Sequence, residues 1–214
     1  MKLNRKQKTI RNFLLAGVLL FTWWVLLGRP SFTQQQALRW AAQQRGLKEE
    51  PQVLYRADLG NERWNVIFTA DGKVGRAAAV KGTFFSWASI QSLEPCGHAV
   101  FFARQDTTRD TADIFVYTEI PGAVTAECDL HVYPVINNGL WEDTYHMTAA
   151  SKNGVFWFQP ERTGWVSEGT MFWDLCNAIE NGNGDWDSRY TVSLTFRDSG
   201  GKIIETYEQT FERT

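Results

Sequence analysis

The side chains able to do chemistry fall into four groups. In the first, Asn181, Asn183, Asp185 and Asp187 place oxygen-bearing side chains at alternate positions of a glycine-containing stretch. Hard cations such as calcium take oxygen ligands from alternate loop positions. An EF-hand also needs a bidentate acid at its twelfth position, and counting from Asn181 reaches Val192. The stretch is therefore a calcium candidate on composition alone, and the same residues are ordinary turn formers.

The second group is Cys96-x-His98 and Cys128-x-x-His131. Neither pair has a zinc-finger spacing. On a strand, Cys128 and His131 would point to opposite faces, against shared ligation. No cofactor is expected. The third group is Glu142, Asp143, His146, Glu161 and Asp174, acids and a base close to aromatic residues. Paired carboxylates can cleave glycosidic bonds, but nothing in the spacing fixes a pair. The G-x-S-x-G, H-E-x-x-H and Walker patterns are missing. Surface carboxylates on an acidic domain account for these residues, so the chain is expected not to be an enzyme.

The fourth group is tryptophan. Of ten in the chain, Trp141, Trp165 and Trp186 stand in loop-like stretches beside Gly, Asn or Asp. They are the candidates for stacking on the sugar rings of a wall glycan. The plainer reading packs them in the core, where indoles bury large areas.

One stretch decides where any such chemistry takes place. From Asn12 to Gly28 the sequence NFLLAGVLLFTWWVLLG carries no charge. As a helix it would span about 25 Å, the short end of what a bilayer core requires. Trp23 and Trp24 sit near its far end, where amphipathic rings favour the headgroup level. A cleaved secretory signal is the rival reading, but Leu26 occupies the position where a small residue would be needed for a cut after Gly28. Lys2, Arg5, Lys6, Lys8 and Arg11 precede the stretch, which predicts a cytoplasmic N-terminus and an exported remainder. That remainder keeps 17 of the 22 basic residues and all 24 acidic ones, a net charge of −7. Such a surface repels phosphate polymers, so nucleic acid is not an expected partner.

Beyond Pro30 the pattern predicts a helix opened by Thr33, with Gln36 at capping-box spacing and Gly46 as its stop. Period-two patterning follows over 52–57, 63–69, 74–80 and 83–87, with Asp71-Gly72 as a hairpin turn. This helix-then-hairpin order resembles the PepSY module, an exported α+β unit, over about 50 residues; the shared patterns are common ones and no membership is assigned on them. Glu94-Pro95-Cys96-Gly97 is the candidate boundary. Further strands are expected over 98–104, 113–119, 124–132, 145–149 and 155–158, with Val124, Ala126, Cys128, Leu130 and Val132 on one buried face. Ser167 is a candidate cap for a helix with Met171, Phe172, Leu175 and Ile179 on its apolar side. A closing hairpin sets Tyr190, Val192, Leu194 and Phe196 against Ile203, Tyr207 and Phe211. The spacing of Cys128, Trp141 and Cys176 somewhat resembles the Cys-Trp-Cys hallmark of immunoglobulin domains; Asp174 stands where that family has Tyr.

The predicted class is therefore α+β with mostly antiparallel β structure: an N-terminal transmembrane helix, then an exported β-rich ectodomain whose second half has an immunoglobulin-like sandwich as one arrangement. The expected segments are 1–11 (basic tail), 12–29 (signal-anchor), 30–95 (helix plus antiparallel sheet) and 96–214 (β-rich domain). The expected function is a single-pass, membrane-anchored surface protein with a non-catalytic binding or scaffolding ectodomain. Its partner would be another surface protein or a wall glycan. A glycan-binding module and an extracellular hydrolase are the alternatives.

Overall fold

The computed structural model describes residues 5–26, 31–82, 85–106, 111–133, 135–136, 139–140, 143–160, 168–181 and 189–211. It is an α+β protein with antiparallel sheets and one N-terminal apolar helix. That helix, α1 (Arg5–Leu26), starts inside the basic tail and is long and apolar enough to cross a membrane. None of it is buried against the rest of the chain. Thr22 donates its hydroxyl to the Val18 carbonyl at 2.8 Å, which removes the one internal polar group from solvent demand.

Helix α2 (Gln34–Gln44) is closed at both ends as its sequence requires. The Thr33 hydroxyl accepts from the Gln36 N–H at 3.2 Å. At the other end Leu47 N–H bonds to Ala42 O and Gly46 N–H to Gln43 O, with Gly46 at φ +80°, which is a Schellman stop. Ala37, Leu38, Ala41 and Ala42 face inward. They lie on an antiparallel sheet of β1 (Gln52–Asp58), β2 (Arg63–Ala70), β3 (Lys73–Lys81) and β4 (Ser86–Pro95), in that order. Val66, Phe68, Ala77, Ala79 and Ile90 complete this core. The Phe68 ring lies where a Cβ on Gly75 would stand, 2.7 Å away, so only glycine lets the ring close down there. Asp71 and Gly72 both have positive φ, the geometry of a type I′ hairpin. The last strand, expected over 83–87, runs from Ser86 to Pro95, with residues 83–84 outside the described ones; it continues past 87 because Ala88 and Ile90 keep alternating onto the α2 core.

The remaining strands form two further sheets. One holds β11 (Val155–Phe158), β6 (Thr111–Tyr117) and β5 (Val100–Asp106), in that order. The other holds β10 (Asp143–Ala150), β7 (Thr125–Tyr133), β12 (Arg189–Arg197) and β13 (Ile203–Phe211). A two-residue pair, β8 (Val135–Ile136) with β9 (Gly139–Leu140), lies between β7 and β10 in the chain. Helix α3 (Glu168–Asn181) connects β11 to β12. Every residue of β6 is buried, because its sheet is covered on both faces. On one side Phe102, Phe115, Tyr117 and Val155 meet Ala57, Ile67 and Val74 of the first sheet. On the other, Phe101, Ile114, Val116, Phe156 and Phe158 meet the four-stranded sheet and α3.

Two positions depart from the expected faces. Val124 precedes β7 and is 43% exposed, while Ala126, Cys128, Leu130 and Val132 are fully buried. Ile203 pairs with Arg197, not with the apolar row, and is 49% exposed. A bulge between Phe196 and Arg197 inserts one extra residue and turns Ile203 to the wet side.

Candidate functional site

Trp141, Trp165, Trp186, Asn183, Asp185, Asp187, Glu142, Glu161 and Ser167 lie outside the described residues. Asn181 is the last residue of α3. His146 projects from the exposed face of β10, whereas Asp174 is buried on α3 and accepts the Tyr190 hydroxyl at 2.8 Å. Asp143 accepts the next residue's N–H at 2.8 Å. These three groups do not converge. Among the described residues, no three His, Cys, Asp or Glu side chains come together as a metal site.

All three cysteines are free thiols. Burial pushes the Cys128 and Cys176 thiols up to about 12, the Asp129 and Glu180 carboxylates respectively adding to the effect. Both are held as neutral, unreactive packing groups. Cys96 is half-buried beside Tyr117 and Glu119, and burial first, then the Glu119 charge, raises its pKa. Burial likewise lifts Tyr117 to about 12.

The outer face of the four-stranded sheet carries cross-strand rows of polar residues. One row reads His146, Asp129, Ser193, Glu208 across β10, β7, β12 and β13. The next row toward the start of β10 reads Thr144, His131, Thr191, Thr210. Neighbours within the rows bond sideways: His146 Nδ1 to Asp129 at 2.6 Å, Ser193 Oγ to Glu208 at 3.1 Å, and Thr144 to His131 Nδ1 at 2.9 Å. Arg197 makes a two-pronged contact with Glu127, both bonds 3.0 Å. The first row holds His, Asp and Ser but in the wrong order for nucleophile activation. The acid stands between His and Ser, and the serine donates to Glu208 instead of to an imidazole.

A concave site lies where the four-stranded sheet overhangs the three-stranded one. β13 is the edge of the larger sheet and β5 the edge of the smaller. Between them opens a cleft of about 550 Å³, walled by Phe101, Tyr207, Gln209 and Phe211 and floored by Ser92, Glu180 and Asn181. The rings form a continuous surface: Phe101 sits 5.9 Å from Tyr207 and 5.6 Å from Phe211. Glu180 accepts the edge-strand N–H of Ala103 at 2.8 Å and pairs with Arg76 of β3 at 2.8 Å. The pair is 11% and 14% exposed, so it is nearly desolvated. It ties α3 to the first sheet and gives the cleft a rigid floor.

A second buried acid sits on the other side of β6. Asp113 is fully buried and accepts from Trp157 Nε1 at 3.1 Å, Gln159 Nε2 at 2.6 Å and Arg104 at 3.2 Å. Trp157 stacks on Phe115 at 6.0 Å, and Tyr55 closes over both. These donors occupy the lone pairs of the carboxylate, so Asp113 is engaged in holding β5, β6 and β11 together.

Sequence reading missed the cleft. The available signal was Glu180, which continues the four-residue spacing of Phe172 and Cys176 and so carries a charge onto the buried side of α3. Arg76 gave a weaker one, a long cation among Gly75, Ala77, Ala78 and Ala79. No family model, curated protein or solved structure matches this chain.

Proposed function

We propose that the chain is a single-pass membrane protein whose ectodomain binds another surface protein without catalysis. The observation that carries this reading is α1: 22 residues, none buried, with Arg5, Lys6, Lys8 and Arg11 gathered at its start and an uncharged apolar run after them. A helix of that kind needs a lipid environment, and the basic flank keeps its N-terminus on the cytoplasmic side.

The strand order of the second half supports a binding module of immunoglobulin-like type. Counting its seven main strands as A to G, β5, β6 and β11 form A-B-E, and β10, β7, β12 and β13 form D-C-F-G. The constant-type immunoglobulin arrangement has the same neighbours except that its fourth strand joins the other sheet. Near the start of β12, the Tyr190 hydroxyl is shared between the Asp174 carboxylate at 2.8 Å and the Met171 carbonyl at 3.3 Å, which ties this strand to α3. Cys128 stands on the third strand and Cys176 on the helix, so the cysteine hallmark plays no part. A partner segment running along the free edge of β13 could pair with its backbone and set side chains into the cleft beside Tyr207 and Gln209.

Two measurements on the full chain test this. Expressed in a bacterium, the protein should resist alkaline extraction, and protease added to wall-stripped cells should digest the ectodomain. Release as a shorter soluble protein would overturn the anchor. A photo-crosslinking residue at Gln209, in the cleft, should capture a discrete partner; the same residue at Glu208, on the opposite face, should not. Silence at both positions would overturn the cleft as the binding site.

A further inference from the structure

We infer that the membrane-proximal end of the first sheet is a lipid-contacting collar, so that the ectodomain rests on the bilayer surface instead of swinging free on its anchor. The inference depends on the anchoring proposed above. The collar consists of Phe32, Trp40, Val80, Phe85 and Trp87. Phe32 is 78% exposed, and Trp40, Val80 and Trp87 are 37–40% exposed. These residues come from four separate parts of the chain, and ring contacts join three of them. Phe32 lies 5.7 Å from Phe85, and Phe85 lies 6.4 Å from Trp87. Val80 is the cross-strand partner of Trp87.

Three observations place lipid against this patch. The first is tether length. Only residues 27–30 separate Leu26, the end of α1, from Ser31, and a connection that short reaches at most about 18 Å even when extended. The second is the fixing of its far end. Ser31 forms a two-way backbone bridge with Ser86, so Phe32, Phe85 and Trp87 are held where the chain enters the ectodomain. The third is continuity. Trp24, in the last turn of α1, contacts Trp40 of α2 edge-on at 6.3 Å. If α1 spans the bilayer, Trp24 is at the headgroup level, and Trp40 must be close to it. Indole and phenyl rings prefer that level, where the ring is desolvated and the indole N–H stays wet. The collar side chains carry no charge, so the contact should form on zwitterionic lipid and persist at high salt.

The test uses the full chain with Cys96→Ser, since Cys128 and Cys176 are buried. A single fluorophore is attached at Phe32→Cys, Trp87→Cys or Glu94→Cys, and the protein is reconstituted into phosphatidylcholine vesicles carrying a nitroxide on the headgroup. Glu94 lies on the same strand as Trp87, about 23 Å further along it. Strong quenching at 32 and 87, little at 94, and no change in molar salt is the expected result. Weak, equal quenching at all three positions on vesicle-bound protein would overturn the collar and leave the anchor intact. Protein that fails to float with the vesicles would overturn the anchor, and the collar with it.

Discussion

Helices α2 and α3 each cover part of a sheet, but with different atoms. α2 lays alanines and Leu38 on Val66, Phe68 and Ile90, and none of its charged or amide groups enters that core. α3 also brings an apolar side, with Phe172, Leu175 and Ala178 buried, but it ends by driving Glu180 against the β5 edge and Arg76. The first contact is non-directional and sums over area. The second is directional: it fixes where α3 sits relative to two different sheets, and it fails badly if either partner is lost. The apolar contact builds an element of the core. The ionic one joins the first sheet to α3 and the β5 edge and floors the cleft between β5 and β13.

The largest effect should therefore come from breaking the ionic contact on one side only. Glu180→Ala leaves the Arg76 guanidinium nearly buried without its counter-charge and should cost about 3–5 kcal/mol. Denaturant unfolding of the full chain in detergent reads this directly. The double variant Arg76→Met with Glu180→Leu should regain most of the loss, because a buried pair replaced by apolar groups of similar size is often neutral or better. A Glu180→Ala variant within 1 kcal/mol of the parent would mean that water reaches the pair, and the contrast between the two helices would collapse.

Leu38→Ala on α2 should come next, at about 3 kcal/mol, from lost transfer energy and the cavity left between α2 and Phe68. No charge is stranded, so no second substitution rescues it by removing a partner. A loss larger than that of Glu180→Ala would reverse the ranking and make the helix-on-sheet core the more fragile contact.

The same contrast explains what the sequence made legible. α2 was readable to its caps because local chemistry specifies it: Thr33 and Gln36 at one end, Gly46 at the other. The Asp71-Gly72 turn and the β12–β13 hairpin were readable for the same reason. The closing hairpin failed at Ile203, where a bulge breaks the strict alternation that the reading relied on. The cleft left only the single charges Glu180 and Arg76 as a trace in the sequence. Its lining comes from the consecutive strands β4 and β5 and from α3 and β13 far along the chain, and its floor depends on a pair 104 residues apart. No periodicity reports a contact at that separation. The tryptophans and the Asn/Asp loop drew attention by composition, but composition says nothing about which residues meet.

The smallest expected effect lies in the first half and depends on pH. Asp71 accepts the Lys48 N–H at 2.7 Å and the Glu49 N–H at 3.0 Å, while Glu49 accepts the Asp71 N–H at 3.0 Å. The exchange clips the β2–β3 turn to the segment that leaves α2. Its counterpart in the second half, the Asp198 carboxylate, accepts from Gly200 and Lys202 of its own turn. The Asp71 carboxyl is held below its ordinary range, chiefly by the Lys48 backbone bond; desolvation opposes it, and the Glu49 bond and the Lys48 and Lys73 charges add to it. A carboxyl whose pKa is lower folded than unfolded stabilises the fold above its ordinary pKa and loses that contribution as pH falls through the folded value. The parent should thus be more stable than Asp71→Asn at pH 7, and the gap should close below about pH 4. Melting curves of both proteins from pH 7 to pH 3 give the comparison. A gap that stays constant would mean that the turn, and not the charge on Asp71, holds the α2 exit in place, and the clip would then be no different in kind from the local one at Asp198.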